Sequence, residues 1–539
     1  MRFALCLPFA ASLWACAPQA AAPANAPPTQ QQPPATNEWK QVEPAKQKQP
    51  LVPEPAGVPA PDAVCEPFAK NSSATCAPTG DVRAALAQAL GAADVLKRDE
   101  LLSCLEQSPS FAPGVLRALR AEVAPPACAD VIALPLLEPR HPEIDRNVED
   151  TLIALAASGR LARLVQKAPE LAAPFDRARF MDFFQTTLKP WIVTQAAAIH
   201  DLSSVGPRLA PYAKGVVAIE AGLADMRFVS VVRQVPLPKE MSDDPEMRDA
   251  YYGALDEALE PRKARGRDAA LVGLRELANV GVVFEPRVQR ARALLSEVYS
   301  GRRIDALDHL LLPELPALPS ATTEQELAAR LPSFYAGLLL DKATLDPALL
   351  RALMGRGLPA AFAARLAPEK LDEPSKQLLA RALFDRGRVY FRAEDFSSSA
   401  RLSASDQPSP EQALLHALAR TLQNGPRDAS ELLLRGPQLP SGTAQVTELD
   451  RLASQKNSAA PLAAFDAAFL LGLVPPQNDP KFWDDLGKRY DAASRALHDQ
   501  AQKKSAREAA KAAKDTAQAL RAAPAAPPAS RSSSTPRTK

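Results

Sequence analysis

The stretch 383-LFDRGRVYFRAEDFSSS-399 contains one helix-forming segment, a short polar break and the start of a second segment of the same kind. This order of helix, short break and helix continues along the chain from about residue 79, and runs of β-branched residues are few. Two short runs, 228–232 and 280–284, have the composition of strands, but neither has a partner of similar character. The first is interpreted as the end of a helix and the second as a buried connector, so the sequence predicts an all-α protein.

The opening stretch resembles a unit of the tetratricopeptide family, which is a helical hairpin of about 34 residues. By this resemblance, Gly387 occupies the small position where the paired helices touch, Tyr390 fills the aromatic position, and Ser399 is the small residue of the second helix. The sequence departs from the family pattern at Ser403, where a large apolar residue is expected, and at Glu394, which replaces a turn residue.

Two further stretches resemble parts of the same unit, 299-YSGRRIDAL-307 with Gly301 and Ala306, and 424-NGPRDA-429 with Ala429. The resemblance covers 287–436 and implies helical hairpins stacked as an irregular α-solenoid, because one amphipathic hairpin cannot bury its apolar face alone. The interval between Ser399 and Ala429 is shorter than the family period, so an irregular helical bundle is the alternative.

Proline and glycine are predicted to delimit several helices. Gly159 is expected to end a helix over 145–158, and Pro261 to separate a helix over 246–259 from one over 268–280. Pro174 opens, and Pro190 closes, a helix with an aromatic stripe of Phe180, Phe183, Phe184 and Leu188. Helical spacing favours a packed core for this stripe, and a ligand cleft is the alternative.

The N-terminus resembles the signal of a bacterial lipoprotein: a basic residue, an apolar run, and the lipobox Leu13-Trp14-Ala15-Cys16. The run is too short to span a bilayer, which needs about 20 residues. The resemblance implies removal of residues 1–15 and acylation of Cys16. Ordinary secretion is the alternative, but prolines directly follow the A-x-A triplets at 15–17, 20–22 and 24–26. Because Ala17, rather than Asp, follows Cys16, the lipoprotein family pattern favours the outer membrane, facing the periplasm.

Two segments have compositions that do not build a core. Residues 16–62 follow the cleavage site and contain twelve prolines, which predicts an extended, disordered tether. Residues 524–539 are predicted to be a disordered tail that continues a basic C-terminal segment beginning near residue 503. A solvated tail is the simpler interpretation of this charge, and weak contact with an anionic polymer is the alternative.

Four cysteines remain after Cys6 in the signal and Cys16: Cys65, Cys76, Cys104 and Cys128. An even number confined to one segment of an exported chain predicts disulfides. Three pairings are possible, of which pairing of sequence neighbours is the simplest. A zinc site is the rival interpretation, but neither a C-x₂-C spacing nor a nearby histidine supports it.

The sequence contains none of the common catalytic or phosphate-binding motifs, and no two of its five histidines are four residues apart. Carboxylate pairs for glycan cleavage need only spatial proximity, so they escape a motif search. The balance of 64 Lys and Arg against 62 Asp and Glu argues against a nucleic-acid partner. We therefore expect no catalytic residues, no cofactor and no metal.

The predicted organisation is a Cys-containing helical segment over 63–140, a helical body over 141–286, tetratricopeptide-like repeats over 287–478, and one C-terminal helix over 479–523, exposed from Ala492 onward. With the lipobox, this predicts a membrane-anchored envelope lipoprotein that acts as a non-enzymatic scaffold for another protein. A cell-wall lytic enzyme or regulator with a helical superstructure is the alternative function.

Overall fold

The computed structural model describes residues 50–71, 80–139, 141–173, 176–283, 285–299, 303–313, 322–340, 373–425, 427–435, 446–473 and 478–522. Across these ranges the chain forms helices joined by short connections, and they contain no β-strand. The predicted all-α class is therefore confirmed. The predicted signal peptide, most of the tether and the tail over 524–539 lie outside the described residues.

Five short helices form the N-terminal part: α1 (Glu66–Asn71), α2 (Val82–Gly91), α3 (Val95–Leu105), α4 (Val115–Val123) and α5 (Ala129–Leu137). A disulfide joins Cys65, just before α1, to Cys128, just before α5. Fully buried Arg120 of α4 donates from Nε to Asp99 Oδ1 of α3 over 2.8 Å. These helices are too short to be stable alone, so the covalent and ionic links hold them together.

Helix α6 (Arg146–Arg163) begins where predicted, because Asp145 accepts a hydrogen bond from the backbone N–H of Asn147 over 2.8 Å. It does not end at Gly159, so that prediction was wrong. A Cβ at Gly159 would lie 2.8 Å from the backbone nitrogen of Asp130. This glycine therefore serves a close helix crossing with α5 rather than a helix end.

The helix carrying the aromatic stripe also continues past its predicted end. α7 (Arg177–Phe183) passes through one π-helical segment, Phe184–Leu188, into α8 (Lys189–Ser203), so Pro190 does not close it. A π-segment changes the hydrogen-bond register locally, which accommodates a residue without an N–H. Phe180, Phe183 and Leu188 are buried, as the packed-core interpretation predicts.

Two long helices pack against each other: α9 (Pro211–Arg233) and, after the short α10 (Lys239–Ser242), α11 (Pro245–Asn279). A Cβ at Gly222 would lie 2.6 Å from the carbonyl oxygen of Gly266. One at Gly273 would lie 2.5 Å from Ile219 and 2.8 Å from the carbonyl oxygen of Gly215. The helices therefore run antiparallel with their backbones in close contact.

The predicted break at Pro261 was wrong, since α11 is a single helix of 35 residues through that position. Proline inside a helix costs about 3 kcal/mol, because it removes one hydrogen bond and crowds the preceding turn. Glycine-mediated packing against α9 lies close to Pro261 and offsets this cost. Residue 228, by contrast, is within a helix, and Val282 and Val283 form a buried connector, as predicted.

Beyond the connector, α12 (Pro286–Val298) precedes two short helices, α13 (Thr323–Arg330) and α14 (Ser333–Leu339). Between α12 and α13 the expected start of a repeat helix is instead one 3-10 turn, Ala306–His309, and residues 310–313 are not helical. Leu307 and Leu310 of this region are buried, so it packs as a connection and not as a second helix.

The opening stretch of the sequence forms a helical hairpin, α15 (Glu373–Tyr390) and α16 (Ala393–Leu402). The chain continues with α17 (Pro410–Leu422), α18 (Ala429–Arg435), α19 (Thr447–Ala453) and α20 (Ala460–Gly472). One apolar core extends from Val52 to Leu470 and so includes both halves of the described chain.

The C-terminus forms a second hairpin, where a single helix was predicted. α21 (Pro480–Ala496) and α22 (Gln500–Ala522) are separated at Leu497, and ion pairs Asp484–Arg521 and Asp491–Lys514 show that they run antiparallel. The exposed helix expected from Ala492 onward was wrong, because the alanines of α22 bury a continuous face: Ala506, Ala510, Ala513 and Ala517. These small side chains permit a close approach to α21.

The last part of the predicted tether is also ordered. Residues 50–62, called the strap here, have no regular secondary structure and lie against the body. Val52 is buried, and Arg160 donates to the carbonyl oxygens of Val52 and Pro53 over 3.2 and 2.5 Å. Arg163 donates to Pro59 O over 2.9 Å. A tether that is disordered as far as residue 62 is therefore contradicted, because side chains of the body bind the strap's backbone carbonyls.

Candidate functional site

Several of the described groups with strongly perturbed ionisation converge where α4, α9, α12 and α14 meet. Helices α4 and α9 contribute carboxylates and a tyrosine, α12 contributes an arginine and its preceding glutamate, and α14 contributes a second tyrosine. The Arg287 cluster is defined as Glu122, Tyr212, Glu220, Glu285, Arg287 and Tyr335. Perturbed groups of this kind mark candidate functional sites.

Arg287 connects three helices through its guanidinium group. Its Nη1 donates to Glu220 Oε1 and to Ser158 Oγ, both over 3.0 Å, and its Nη2 donates to Glu122 Oε1 over 3.1 Å. Burial lowers the pKa of Arg287, but the carboxylates of Glu122 and Glu220 more than compensate and raise it. Arg290 also donates to Glu220 over 2.8 Å, so the buried carboxylate has two cationic partners.

Two tyrosines complete the polar layer. The hydroxyl of Tyr212 donates to Glu122 Oε2 over 3.0 Å, and its ring stacks on Phe334 with centroids 3.7 Å apart. Burial, and then the charge of Glu122, raises the pKa of both Tyr212 and Tyr335. The hydroxyl of Tyr335 is buried and has no hydrogen-bond partner in the described part of the chain. Both phenols are therefore neutral at physiological pH.

Glu285 is the group in this cluster that titrates near neutral pH. Burial, followed by the charge of Glu122, raises the pKa of its carboxyl to about 7. The backbone N–H of Ser333, at the start of α14, donates to Glu285 Oε1 over 2.8 Å and opposes this rise, as does Arg287. The Glu285 side chain thus joins the start of α12 to the start of α14.

This arrangement is suited to fixing helices and not to reacting with a substrate. Acid–base catalysis requires a group within reach of a bound substrate. Here the side chains of Glu122 and Glu220 are only 9% and 2% exposed, and both carboxylates form ion pairs with Arg287. The described residues also contain no cluster of three or more His, Cys, Asp or Glu side chains with the placement of metal ligands.

We compared the chain with protein-family models, with curated proteins and with solved structures. None of them matches it. In the described part of the chain, no helix combines the length and the apolar character needed to cross a membrane.

The repeat residues of the opening stretch do come together. A Cβ at Gly387 would lie 2.9 Å from Cε1 of Phe396 in α16, so the two helices approach closely there. Ser399 is fully buried and donates from Oγ to Ala380 O over 2.8 Å. Tyr390 is buried and donates to Val282 O over 2.5 Å, which attaches the hairpin to the connector after α11.

The other predicted repeat residues belong to other elements, although the 3-10 turn that contains Ala306 packs against α15 of this hairpin. Ala306 begins the 3-10 turn described above and Ala429 begins α18, and both are buried. Gly301 lies outside the described residues, as does the predicted lipidation site Cys16.

The cysteine pairing differs from the simplest expectation. Cys65 pairs with Cys128, 63 residues away, so pairing of sequence neighbours was wrong. Cys104 is also disulfide-bonded, and Cys76 lies outside the described residues. Bridging of distant cysteines brings the first turn of the N-terminal part to the start of α5.

Sequence reasoning missed the Arg287 cluster because its members are far apart in the chain and have no common local spacing. One signal was present: Glu220 interrupts an apolar run in 215-GVVAIEAGLA-224. A charged residue on a fully apolar helix is almost never buried without a partner. Such a residue therefore predicts a buried ion pair, but the sequence does not show which arginine provides it.

Proposed function

We propose that this chain is a lipid-anchored protein of the bacterial cell envelope, and that its helical body is a non-enzymatic scaffold for protein–protein interaction in envelope assembly or maintenance. Acylated Cys16 would provide the anchor, and the outer membrane, facing the periplasm, is the proposed location. The partner is proposed to be another envelope protein, with weak contact between the basic C-terminal tail and an anionic polymer.

The observation that carries the scaffold proposal is the use of buried charge. Along the described chain, buried or partly buried arginines pair with carboxylates of neighbouring helices: Arg120–Asp99, Arg163–Asp130, Arg262–Asp225, Arg287–Glu220 and Arg386–Asp395. Buried ion pairs add little net stability, but they penalise alternative packings. Such ion pairs suit a scaffold, because they hold the helices in one arrangement and so keep the shape of its binding surface fixed.

A solenoid arrangement is proposed for the C-terminal half. From α15 to α17, and again from α19 to α22, each helix packs on its sequence neighbour, as in stacked helical repeats. In the N-terminal half the pattern is different, because α9 packs on α6 and α11, which are not adjacent to it in sequence. The chain is therefore proposed to combine an N-terminal helical bundle with a repeat-like C-terminal half.

In an anchored protein, the strap would limit the distance between the body and the lipid anchor. A lipobox followed by a proline-rich segment would leave the body loosely tethered, but the strap is bound to the body from residue 51 onward. The free part of the tether would then be residues 17–49, with a maximum reach of about 100 Å at 3.1 Å per residue.

Lipidation is tested by intact-mass analysis of full-length protein extracted from membranes. We expect an N-terminal Cys16 that carries a diacylglycerol group, and accumulation of uncut precursor for Cys16→Ser. A soluble mature protein that begins at a later residue would refute the anchor.

The scaffold function is tested by crosslinking the full chain in native envelopes and identifying the captured proteins. We expect one or a few partners, captured equally by protein with and without an intact Glu285 carboxyl, because that group is proposed to be structural. Glycan cleavage by the purified chain that is lost in Glu285→Gln would instead establish an enzyme.

A further inference from the structure

A cleft of about 460 Å³ opens where the strap crosses the end of α6 and the start of α8. The strap forms one wall and α8 the other; the lining includes Gly57, Pro59, Val165, Trp191, Thr194 and Gln195. This volume is within the range of small-ligand sites. None of the predicted functional residues belongs to the cleft, and neither does the Arg287 cluster.

The walls of the cleft are held in place by one buried amide. Gln195 donates from Nε2 to Gly57 O over 2.9 Å and accepts from the backbone N–H of Val165 over 3.0 Å. Gly57 has a φ of 88°, and a Cβ there would lie 2.5 Å from Thr194 Cγ2. The strap therefore needs glycine at this position to reach α8.

Val165 has strained backbone geometry. Its φ of 56° is in the left-handed region, which a β-branched side chain strongly disfavours. Such residues persist only where the surroundings determine the conformation, and they concentrate at ligand sites. Here the Gln195 hydrogen bond imposes the conformation and turns the chain after α6 into the cleft.

The lining presents an aromatic ring together with unoccupied polar groups. Trp191 is half-buried and lies parallel to Phe228 with centroids 6.2 Å apart, which fixes the indole. Among the described residues, nothing accepts a hydrogen bond from the Trp191 indole N–H, and the Thr194 hydroxyl is likewise unpaired. An aromatic body with a polar edge can bind a ligand that is apolar on one side and hydroxylated on the other.

Both cationic side chains of the lining already have acidic partners. Arg163 makes two hydrogen bonds of 2.6 Å to Asp130, and Lys167 pairs with Glu170 over 2.8 Å. An anionic ligand would have to compete with these carboxylates, and a cationic ligand would find no free acid among the lining residues. The ligand that fits is therefore uncharged.

We propose that this cleft is a binding site for a neutral carbohydrate, with a sugar ring against Trp191 and its hydroxyl groups on Thr194 and on the indole N–H. The proposal goes beyond the scaffold function and does not depend on lipidation. Two sources share this chemistry, a plain hexose glycan and an N-acetylated glycan of the cell wall.

Saturation-transfer difference NMR on the full-length chain tests the site, with maltotriose and triacetylchitotriose as probes. We expect transfer to at least one trisaccharide, loss of transfer for Trp191→Ala, and retention for Trp483→Ala, which changes a half-buried tryptophan in α21. Preference for triacetylchitotriose would identify the N-acetylated glycan, and preference for maltotriose the plain one. Transfer to neither sugar, or undiminished transfer for Trp191→Ala, would overturn the proposal.

Two conservative variants keep the test valid if Trp191→Ala does not fold. Trp191→Phe keeps an aromatic ring and removes the N–H, and Thr194→Val keeps the shape and removes the hydroxyl. Each should weaken binding about fivefold, which corresponds to one neutral hydrogen bond. An unchanged Kd in both variants would show that the sugar does not occupy the cleft. Failure of this test would leave the lipidation and crosslinking results unaffected.

Discussion

At the residue scale, Gly387 gives the sharpest test of the α15–α16 hairpin. A Cβ at this position would lie 2.9 and 3.0 Å from two ring atoms of Phe396, which is itself buried and packed on Phe384. The ring cannot move away without disturbing the core. We expect Gly387→Ala to destabilise the protein by about 1–3 kcal/mol in urea unfolding, despite the better helix propensity of alanine.

Gly253 is the matched control. It is also inside a helix, α11, but a Cβ there would have no atom within 4 Å. Gly253→Ala should therefore stabilise the protein by about 0.5–1 kcal/mol. The two substitutions should change the free energy of unfolding in opposite directions. An increased stability for Gly387→Ala would disprove the close helix contact.

Glu285 makes a prediction about pH. Its pKa of about 7 in the folded protein is above the usual value of a glutamate. Between those two values the folded protein binds more protons than the unfolded chain, so this group lowers stability as pH rises from about 4.5 to 7. The loss is at most about 3 kcal/mol and is complete above pH 7.

Glu285→Gln removes this titration and keeps an oxygen that can accept the Ser333 N–H. Urea unfolding at pH 5 and at pH 8 should show a smaller decrease in stability for the variant than for the unaltered protein. Equal decreases in both would mean that Glu285 is not desolvated in the folded state.

At the element scale, α22 depends on packing against α21. Its sequence is rich in alanine and charge, and a helix with so little apolar area contributes little by itself. Gly487 of α21 brings the backbones together, since a Cβ there would lie 3.4 Å from the carbonyl oxygen of Ala510. The hairpin is thus held by close contact of small residues and by two ion pairs, one near its open end and one near its middle.

Adjacent alanines test this packing. Ala513 is buried against α21, whereas its neighbour Ala512 is exposed. We expect Ala513→Leu to lower the thermal midpoint, because overpacking lowers the free energy of unfolding by about 1–3 kcal/mol. Ala512→Leu should leave the thermal midpoint nearly unchanged, because a surface substitution changes the free energy of unfolding by no more than about 0.5 kcal/mol. Similar effects from both substitutions would indicate that α22 is not packed.

At the scale of the whole molecule, the disulfides organise the N-terminal part. The Cys65–Cys128 bridge closes a loop of 63 residues, which in the chain-entropy model stabilises the folded state by about 4 kcal/mol. Cys65→Ser should therefore lower stability by roughly that amount, and the double substitution with Cys128→Ser should cost little more, because one bond is lost in each case.

Peptide mapping without reduction tests the pairing itself. We expect one fragment that joins Cys65 to Cys128, and a second that joins Cys104 to Cys76. Fragments that join Cys65 to Cys76 would contradict the observed connectivity.

The sequence alone determined the features that depend on local interactions. Helical periodicity identified the all-α class, and Asp145 and Asp479 were recognisable as helix starts because each carboxylate reaches a backbone N–H two residues along. The composition of the N-terminal part indicated disulfides, and the opening stretch correctly indicated a hairpin with a close contact at Gly387. Apart from the disulfides, which composition indicated without their pairing, these signals involve residues within one or two turns of each other.

Tertiary structure alone decided the features that depend on distant residues. Pro261 remains inside a helix because α9 packs on the same helix, and Gly159 marks a helix crossing because Asp130 lies against it. The proline-rich strap is ordered because arginines about 100 residues away bind its carbonyl oxygens. The same holds for the Arg287 cluster. A buried charge needs an oppositely charged neighbour in the folded structure, and the position of a residue in the chain does not specify which residue that is.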